Sequence, residues 1–209
     1  MALAACGFKP AAGGGDGGGP IADSAIDAPD AGPNFTGPCG STGAIRDDFD
    51  DGVIDNEWRA SGMTAETGGV LAVTPDSSTS FGGYISKHRV DLTGTNVAVE
   101  VPQMLDTNSG ATAALYLVAD PTHYLAITQV DGELNAEWNT GMATAMDIGT
   151  PYDPVAHRWW RISEASGNVT FEVSADGTTF SPLASTASPP WVNDVEIALG
   201  GYSDGVITR

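Results

Sequence analysis

Much of the chain contains short runs in which every second residue is apolar, separated by glycine, aspartate, asparagine and proline. In one of these runs Val97, Val99 and Val101 alternate with alanine and glutamate, so the valines share one face of an extended chain. The three- to four-residue apolar period of a helix is not sustained over any long segment. The pattern therefore predicts an all-β domain over residues 45–209.

Turn-forming pairs lie between several of these runs. Asp131-Gly132 and Asp176-Gly177 each separate two apolar runs, and Asp-Gly is typical of hairpin turns that need positive φ. Short strands at regular spacing, joined by such turns, predict an antiparallel sandwich or barrel. The predicted strands are 69–74, 81–86, 96–101, 113–119, 123–130, 133–139, 158–164, 169–174, 179–183 and 195–201.

Residues 1–44 have a different composition. They include eleven glycines and five prolines and almost no periodic apolar positions, so they cannot bury enough surface to offset the entropy of ordering. Glycine-rich chain behaves as a flexible coil. We therefore expect a disordered N-terminal linker that tethers the β domain to another structure.

The start of this linker suggests what the tether is attached to. Leu3-Ala4-Ala5-Cys6 resembles the lipobox of bacterial lipoproteins, in which the cysteine is acylated after cleavage of the signal peptide. The resemblance implies lipidation at Cys6 and an extracytoplasmic protein, either anchored to the bacterial outer membrane or secreted. The alternative is a chance match, since small residues often precede a cysteine.

Two further expectations concern the linker. A signal peptide needs a positively charged start and an apolar stretch of roughly 7–15 residues, and only two residues precede Leu3. We therefore expect either a start further upstream or a fragment of a longer chain. The second cysteine, Cys39, is a free thiol if Cys6 is acylated, and otherwise the two could form a disulfide across the linker. Their spacing matches neither a zinc site nor a redox pair.

Four segments of the β domain resemble concanavalin A-like (LamG/glucanase-type) jelly-roll domains. The resemblance implies a two-sheet antiparallel jelly-roll sandwich in which Trp58 packs under a sheet. It also implies a closing strand beside the opening one, and Arg209 stands where that strand should start. We therefore expect the domain to lack its last strand or to have a very short one. The segments are IRDDFDDGVIDNEW (45–58), ALYLVADPTHYLAI (114–127), RWWRISEASGNVTFEVSADGTTF (158–180) and IALGGY (197–202).

The charge balance excludes several classes of partner. Asp and Glu number 27 against 8 Lys and Arg, a net charge of −19, although charged residues are only 17% of the chain. The acidity therefore comes from scarce basic residues, and the chain cannot neutralise the phosphates of a nucleic acid. No apolar run approaches the length of a transmembrane helix, so we expect membrane contact only through a lipid at Cys6.

Catalytic residues are not predicted. Glycosidases of the resembled fold carry two or three carboxylates on one strand as E-x-D-x-x-E, and this motif is absent from the sequence. Retaining hydrolysis needs two carboxyl groups about 5–5.5 Å apart. Glu100 is the one carboxylate in residues 96–103, while Glu133 and Glu137 are four residues apart on a predicted strand.

Aromatic residues supply candidate ligand contacts, because indole rings stack on the apolar faces of sugars. Neighbouring residues of a strand point to opposite faces, so Trp160 is predicted in the core and Trp159 on the other face with Arg161 and His157. We predict Trp159, Arg161 and His157 as ligand-binding residues, together with Trp191 in a proline-containing loop. The alternatives are that Trp159 packs under a loop and that Trp191 closes the end of the sandwich.

An aspartate-rich turn is the candidate metal site. Many domains of the resembled fold bind a structural calcium near the opening strand, and the resemblance points to Asp50 and Asp51. Calcium takes six to eight oxygen ligands, and closely spaced carboxylates supply them. The spacing here does not match an EF-hand, and the alternative is a solvated acidic turn.

These expectations lead to a non-catalytic binding module displayed on the bacterial envelope, monomeric, with a polysaccharide or another cell-surface component as its partner. No cofactor is predicted beyond the structural calcium. One alternative is a divergent glycoside-active enzyme, which needs a second carboxylate close to Glu100 or Glu133 in the fold. Another is a purely structural module of a surface assembly.

Overall fold

The computed structural model describes residues 2–4, 40–41, 45, 47, 49, 51–74, 81–103, 111–141 and 146–203. These residues form strands and turns, and none of them belongs to a helix that is long and apolar enough to cross a membrane. The strands, in chain order, are β1 (Ala2–Ala4), β2 (Gly40–Ser41), β3 (Trp58–Ser61), β4 (Met63–Glu66), β5 (Val70–Thr74), β6 (Gly82–Ser86), β7 (Val90–Asp91), β8 (Asn96–Gln103), β9 (Ala111–Asp120), β10 (His123–Val130), β11 (Glu133–Thr140), β12 (Met146–Pro151), β13 (Trp159–Ala165), β14 (Asn168–Ser174), β15 (Ser181–Ala187) and β16 (Glu196–Ser203).

Two seven-stranded antiparallel sheets make the sandwich. The first sheet has the order β15-β14-β13-β8-β1-β5-β4, and the second has the order β12-β11-β10-β9-β16-β6-β3. A small third sheet pairs β2 with β7 in parallel. The all-β sandwich expected from the sequence is therefore confirmed.

Each predicted strand overlaps one strand of the structure, from β5 to β16. The structure adds strands that the apolar pattern did not predict. β3 and β4 are four residues each and include serine, alanine and glutamate, while β12 contains aspartate, glycine and proline. These residues have low β propensity, and the three strands are paired mainly because the neighbouring strands present free backbone groups.

Two of the short strands lie within the stretch for which the composition predicts a tether. β1 pairs with β5 and β8 inside the first sheet, and β2 pairs with β7. Cys6 and Cys39 lie outside the described residues. Their lipidation or pairing stays a prediction.

Large side chains from both sheets fill the space between them. Trp58 is buried and its ring lies 6.1 Å from that of Tyr84, which in turn meets the edge of Phe49 at 6.0 Å. Across the sandwich, Trp138 of the second sheet stacks on Phe171 of the first at 5.7 Å. The opening segment thus contributes Phe49 and Trp58 to the core, and the expected position of Trp58 is confirmed.

The hairpin turns have the backbone conformation that their sequences require. Asp131 and Gly132 both have positive φ, at 49° and 81°, which matches the right-handed twist of the strands they join. In the other Asp-Gly pair only Gly177 has positive φ, at 69°. Asp176 instead caps that turn, because its Oδ1 accepts hydrogen bonds from the backbone N–H groups of Thr178 and Thr179, both at 2.8 Å.

The adjacent tryptophans of β13 provide a matched test of the sandwich. Trp160 is fully buried, whereas Trp159 is partly exposed on the other face. We expect Trp160→Ala to lower the free energy of unfolding by about 3–5 kcal/mol. Trp159→Ala should cost about 1 kcal/mol, because little apolar surface is lost from the core. Urea unfolding followed by circular dichroism measures both, and equal losses would contradict the assigned faces.

Candidate functional site

The solvent side of the second sheet carries a cluster of aromatic rings that core packing does not require. We call this surface the tyrosine face. It is defined by the partly exposed rings of Phe81, Tyr116, Tyr124 and Tyr202 and by the polar residues Thr128, Asn135, Glu137, Asn139 and Asp147 beside them.

Strand alternation places these rings outside the core. Along β9, Leu115 and Leu117 are buried between the sheets, so Tyr116 between them points to solvent. Cross-strand pairing sets Tyr116 between Ala126 of β10 and Ala198 of β16. Both alanines are almost fully buried although they face outward. Small side chains therefore form the floor, and the tyrosines rise above it.

The rings contact one another in a row. Tyr116 meets the edge of Tyr124 at 5.8 Å and that of Phe81 at 6.4 Å. Phe81 lies over Gly200, where an added Cβ would come within 2.8 Å of the ring and 2.0 Å of the carbonyl oxygen of Gly82. Glycine at position 200 is thus needed for this close approach. Edge-to-face pairs of this kind stabilise each other by about 0.5–1.5 kcal/mol.

Carboxyl and amide groups border the rings on one side. Glu137 of β11 accepts a hydrogen bond from Thr128 of β10, and it pairs directly opposite Asp147 of β12. Asn139 pairs opposite Tyr124, and Asn135 lies two residues from Glu137 on the same face. The face therefore joins apolar rings to hydrogen-bonding groups along one edge.

Burial and negative charge shape the titration of this face. Burial raises the pKa of Glu137 above its usual range, and the charge of Asp147 raises it further. Burial also raises the pKa of the Tyr116 hydroxyl, which is hydrogen-bonded to Tyr202, and that of Tyr124. Tyr116 and Tyr124 are therefore neutral donors and acceptors at ordinary pH.

The ligand residues predicted from the sequence do not lie on this face. Trp159 and Arg161 lie on the outer side of the first sheet, at the opposite surface of the sandwich. Trp159 packs over Gly177, where an added Cβ would lie 2.7 Å from the indole ring. Nε and Nη2 of Arg161 each donate to a Glu172 oxygen at 2.7 Å, and its guanidinium stacks on Phe180 at 3.7 Å. Both side chains are thus engaged within the fold.

His157 and Trp191 lie in two different loops. Nδ1 of His157 accepts a hydrogen bond from the backbone N–H of Asp153 at 3.1 Å, and burial lowers its pKa. The ring of Trp191 meets the edge of His123 at 5.9 Å and packs against the core. Trp191 therefore helps to close one end of the sandwich while remaining partly exposed.

The predicted calcium residues are described only in part, since Asp50 lies outside the described residues. Asp51 is exposed, and its Oδ1 accepts a hydrogen bond from the backbone N–H of Val53 at 2.7 Å. It lies beside Glu66 of β4, a buried carboxyl that accepts a hydrogen bond from the Tyr84 hydroxyl at 2.8 Å. Among the described residues no group of three histidines, cysteines or acids is arranged to hold a metal ion. The calcium site remains a prediction.

Comparison with family models finds none that matches this chain, and comparison with curated proteins finds no match either. Among solved structures, the chain is similar to the CBM2 module of the evolved Dit protein of Lactobacillus casei BL23 phage J-1. That likeness has 11% identity and a TM-score of 0.47, and covers 70% of this chain and 74% of the other. A functionally unknown protein from Saccharomyces cerevisiae has 15% identity and a TM-score of 0.36, with 69% and 88% covered. Neither likeness carries an argument about what this chain binds.

Glu66 makes a testable contribution to the pH dependence of stability. Burial raises its pKa, and the charges of Asp51 and Asp55 add to this, so the folded state binds the proton more tightly than the unfolded state. The resulting stabilisation is complete below the unfolded pKa of about 4.3 and is lost as the pH rises through the raised folded pKa. Glu66→Gln keeps an acceptor for Tyr84. We expect it to raise the free energy of unfolding at neutral pH and to flatten the pH dependence, measured by urea unfolding with chelator present.

A calcium titration distinguishes a solvated acidic turn from a metal site. If calcium binds there, adding it should raise the Tm of the wild-type chain by mass action, and Asp51→Asn should remove that rise. Asp131→Asn, an exposed change in a distant hairpin turn, is the control. If calcium does not change the Tm, the result would count against the predicted calcium site. The predicted effect of Glu66→Gln on the pH dependence of stability would be unaffected.

Proposed function

We propose that this chain is a non-catalytic binding module and that its tyrosine face binds a polysaccharide. The observation that carries the proposal is the row of contacting, partly exposed rings over a floor of alanine and glycine. An antiparallel sheet with one solvated face normally carries polar side chains there. Tyr116 and Tyr124 do not contribute to the core, because the adjacent residues Leu115, Leu117 and Leu125 point inward and fill it.

The dimensions of the face suit an extended ligand. Phe81 lies at β6 and Tyr124 on β10, with β16 and β9 between them. Neighbouring strands are about 4.8 Å apart, so the strands at the two ends of the row are roughly 14 Å apart. Sugar rings present apolar CH faces to aromatic side chains, and the partly exposed Asn139 is placed to donate its amide N–H groups to a sugar hydroxyl at the edge. The combination of stacking surface and a few polar groups is typical of small-molecule and sugar recognition.

The proposal includes membership of the concanavalin A-like family and display on the bacterial envelope. Its support is the placement of the four similar segments. The opening segment 45–58 enters the core, 114–127 forms the β9–β10 hairpin, 158–180 covers the β13–β14 hairpin, and 197–202 lies in β16. Display rests on the lipobox-like residues before Cys6 and on the glycine-rich composition after it.

A set of three variants tests where the polysaccharide binds. We expect Tyr124→Ala to weaken binding about tenfold, which corresponds to about 1.4 kcal/mol, because the ring stacks on sugar. Trp159→Ala and Trp191→Ala, at the other candidate positions, should leave binding unchanged. Affinity electrophoresis against a panel of polysaccharides, followed by calorimetry on the best ligand, measures this. Loss of binding in Trp159→Ala or Trp191→Ala alone would move the site to those residues.

A second candidate function, glycoside hydrolysis, is favoured by one observation. Glu137 and Asp147 stand directly opposite each other on adjacent antiparallel strands. The Cβ atoms of such a pair lie about 4.5–5.5 Å apart, which is compatible with the carboxyl separation of about 5–5.5 Å in retaining glycosidases. The raised pKa of Glu137 suits a general acid, and Asp147 is exposed and would act as the nucleophile.

Release of reducing ends distinguishes hydrolysis from binding. If the pair is catalytic, the chain should cleave the polysaccharide that it binds, and both Glu137→Gln and Asp147→Asn should abolish cleavage while retaining the ligand. Asp131→Asn is the control for a lost surface charge. Binding without any release of reducing ends would exclude this second function for that polysaccharide.

A further inference from the structure

One edge of the tyrosine face carries negative charge that none of the basic residues described by the structure neutralises. Glu133, Glu137 and Asp147 project from β11 and β12 on the same side of the sheet. Carboxylates directly opposite each other across an antiparallel pair repel and destabilise the sheet. Thr128 donates a hydrogen bond to Glu137, but a hydroxyl brings no compensating charge.

The basic residues that the structure describes are engaged elsewhere. Their partners lie on the first sheet, at the opposite edge of the second sheet, or in loops, and none of them faces Glu137 or Asp147. Arg59 pairs with Glu196, Arg89 with Asp194, Arg158 with Glu100 and Arg161 with Glu172, while Lys87 is hydrogen-bonded to Asn56.

We infer that the polysaccharide bound by the tyrosine face is cationic, with free amino groups on its sugars lying against Glu137 and Asp147. This inference rests on the proposed function. Charge complementarity selects the ligand, because the ammonium group of an amino sugar supplies the missing positive charge at the edge where the rings end. The partly exposed ring of Tyr124, next to this edge, adds a cation–π contact.

The same charges exclude the opposite class of glycan. Uronic acid or sulfated polymers would bring further negative charge to a protein of net charge −19, and Arg59, at the far edge of this side of the sheet, is already paired with Glu196. Neutral sugars would stack on the rings without relieving the repulsion between Glu137 and Asp147. The tyrosine face therefore selects among glycans by their charge at the edge formed by Glu137 and Asp147, and it binds sugar rings by stacking along the row of aromatic side chains.

Calorimetry with matched oligosaccharides tests the inference on the full chain. The probes are a glucosamine oligomer, an N-acetylglucosamine oligomer of the same length, a uronic acid oligomer and a lysine oligomer, at low salt and at pH values from mildly acidic to neutral. We expect the glucosamine oligomer to bind about fivefold tighter than its acetylated counterpart, the effect of one well-placed ion pair. Added salt should reduce this preference, since exposed charges are screened.

Conservative variants assign the preference to the two carboxylates. Asp147→Asn and Glu137→Gln should each remove most of the fivefold preference, and Glu137→Gln still offers an acceptor to Thr128. Asp131→Asn removes one exposed charge at a turn that tolerates asparagine, and it should leave the preference intact. Melting curves of the variants show whether each remains folded.

The possible results separate the inference from the function on which it rests. Equal affinity for the glucosamine and N-acetylglucosamine oligomers would contradict the inference that the ligand is cationic. So would a preference for glucosamine that Asp147→Asn does not change. Either result would leave the proposed saccharide binding at the tyrosine face intact. If lysine oligomers bound as tightly as glucosamine oligomers, the face would recognise any polycation, and the inference that its ligand is a saccharide would be wrong. Absence of binding to every saccharide would remove the proposed function itself.

Discussion

The two-residue period of the strands is the constraint on which both sides of the second sheet depend. In β9 three consecutive residues serve both sides of the sheet: Leu115 and Leu117 point into the core, and Tyr116 between them points to solvent. A shift of one residue in register would expose the leucines and bury the tyrosine hydroxyl. The buried leucines thus determine the position of the outer rings, and the tyrosine face is held as firmly as the core beneath it.

Small residues are the second requirement of this arrangement. Gly83 and Gly200 pair across β6 and β16, and an added Cβ on Gly83 would come within 2.0 Å of the carbonyl oxygen of Leu199. Gly83 also has a φ of 149°, which L side chains rarely adopt. Glycine in a strand interior normally weakens it. Its presence at two paired positions is explained by the close approach of the strands and by the ring of Phe81 above them.

The strands and the division between core and surface could be predicted from local pattern, because alternation is a property of neighbouring residues. The alternation of side chains along the strand predicts Trp160 in the core, and Trp160 is fully buried. The same alternation predicts Trp159 and Arg161 on an outer face. It does not show that Arg161 is hydrogen-bonded to Glu172 and stacks on Phe180. Those partners come from β14 and the turn after it, and only the register of the hairpin brings them together.

The tyrosine face was missed for a related reason. Tyr116 and Tyr124 belong to one hairpin, so the sequence places them on the same side of adjacent strands. Phe81 and Tyr202 come from distant parts of the chain and join them only through the order β9-β16-β6. The strand order of the second sheet, rather than any motif, assembles the row. The absence of a carboxylate motif within one strand likewise gave no sign of Glu137 and Asp147, which face each other from two strands.

The two outer surfaces of the sandwich differ in what their charges accomplish. On the first sheet Arg158 and Arg161 pair with Glu100 and Glu172, so that surface satisfies its own groups. On the second sheet the acidic edge has no such partners among the described basic residues, and burial of Glu137 adds to the cost. A fold under selection for stability alone would replace one of the two opposed acids with a neutral or basic residue, as the first sheet does. Among the described residues, the outer surface that carries the partly exposed rings is thus also the one on which two opposed acids have no basic partner.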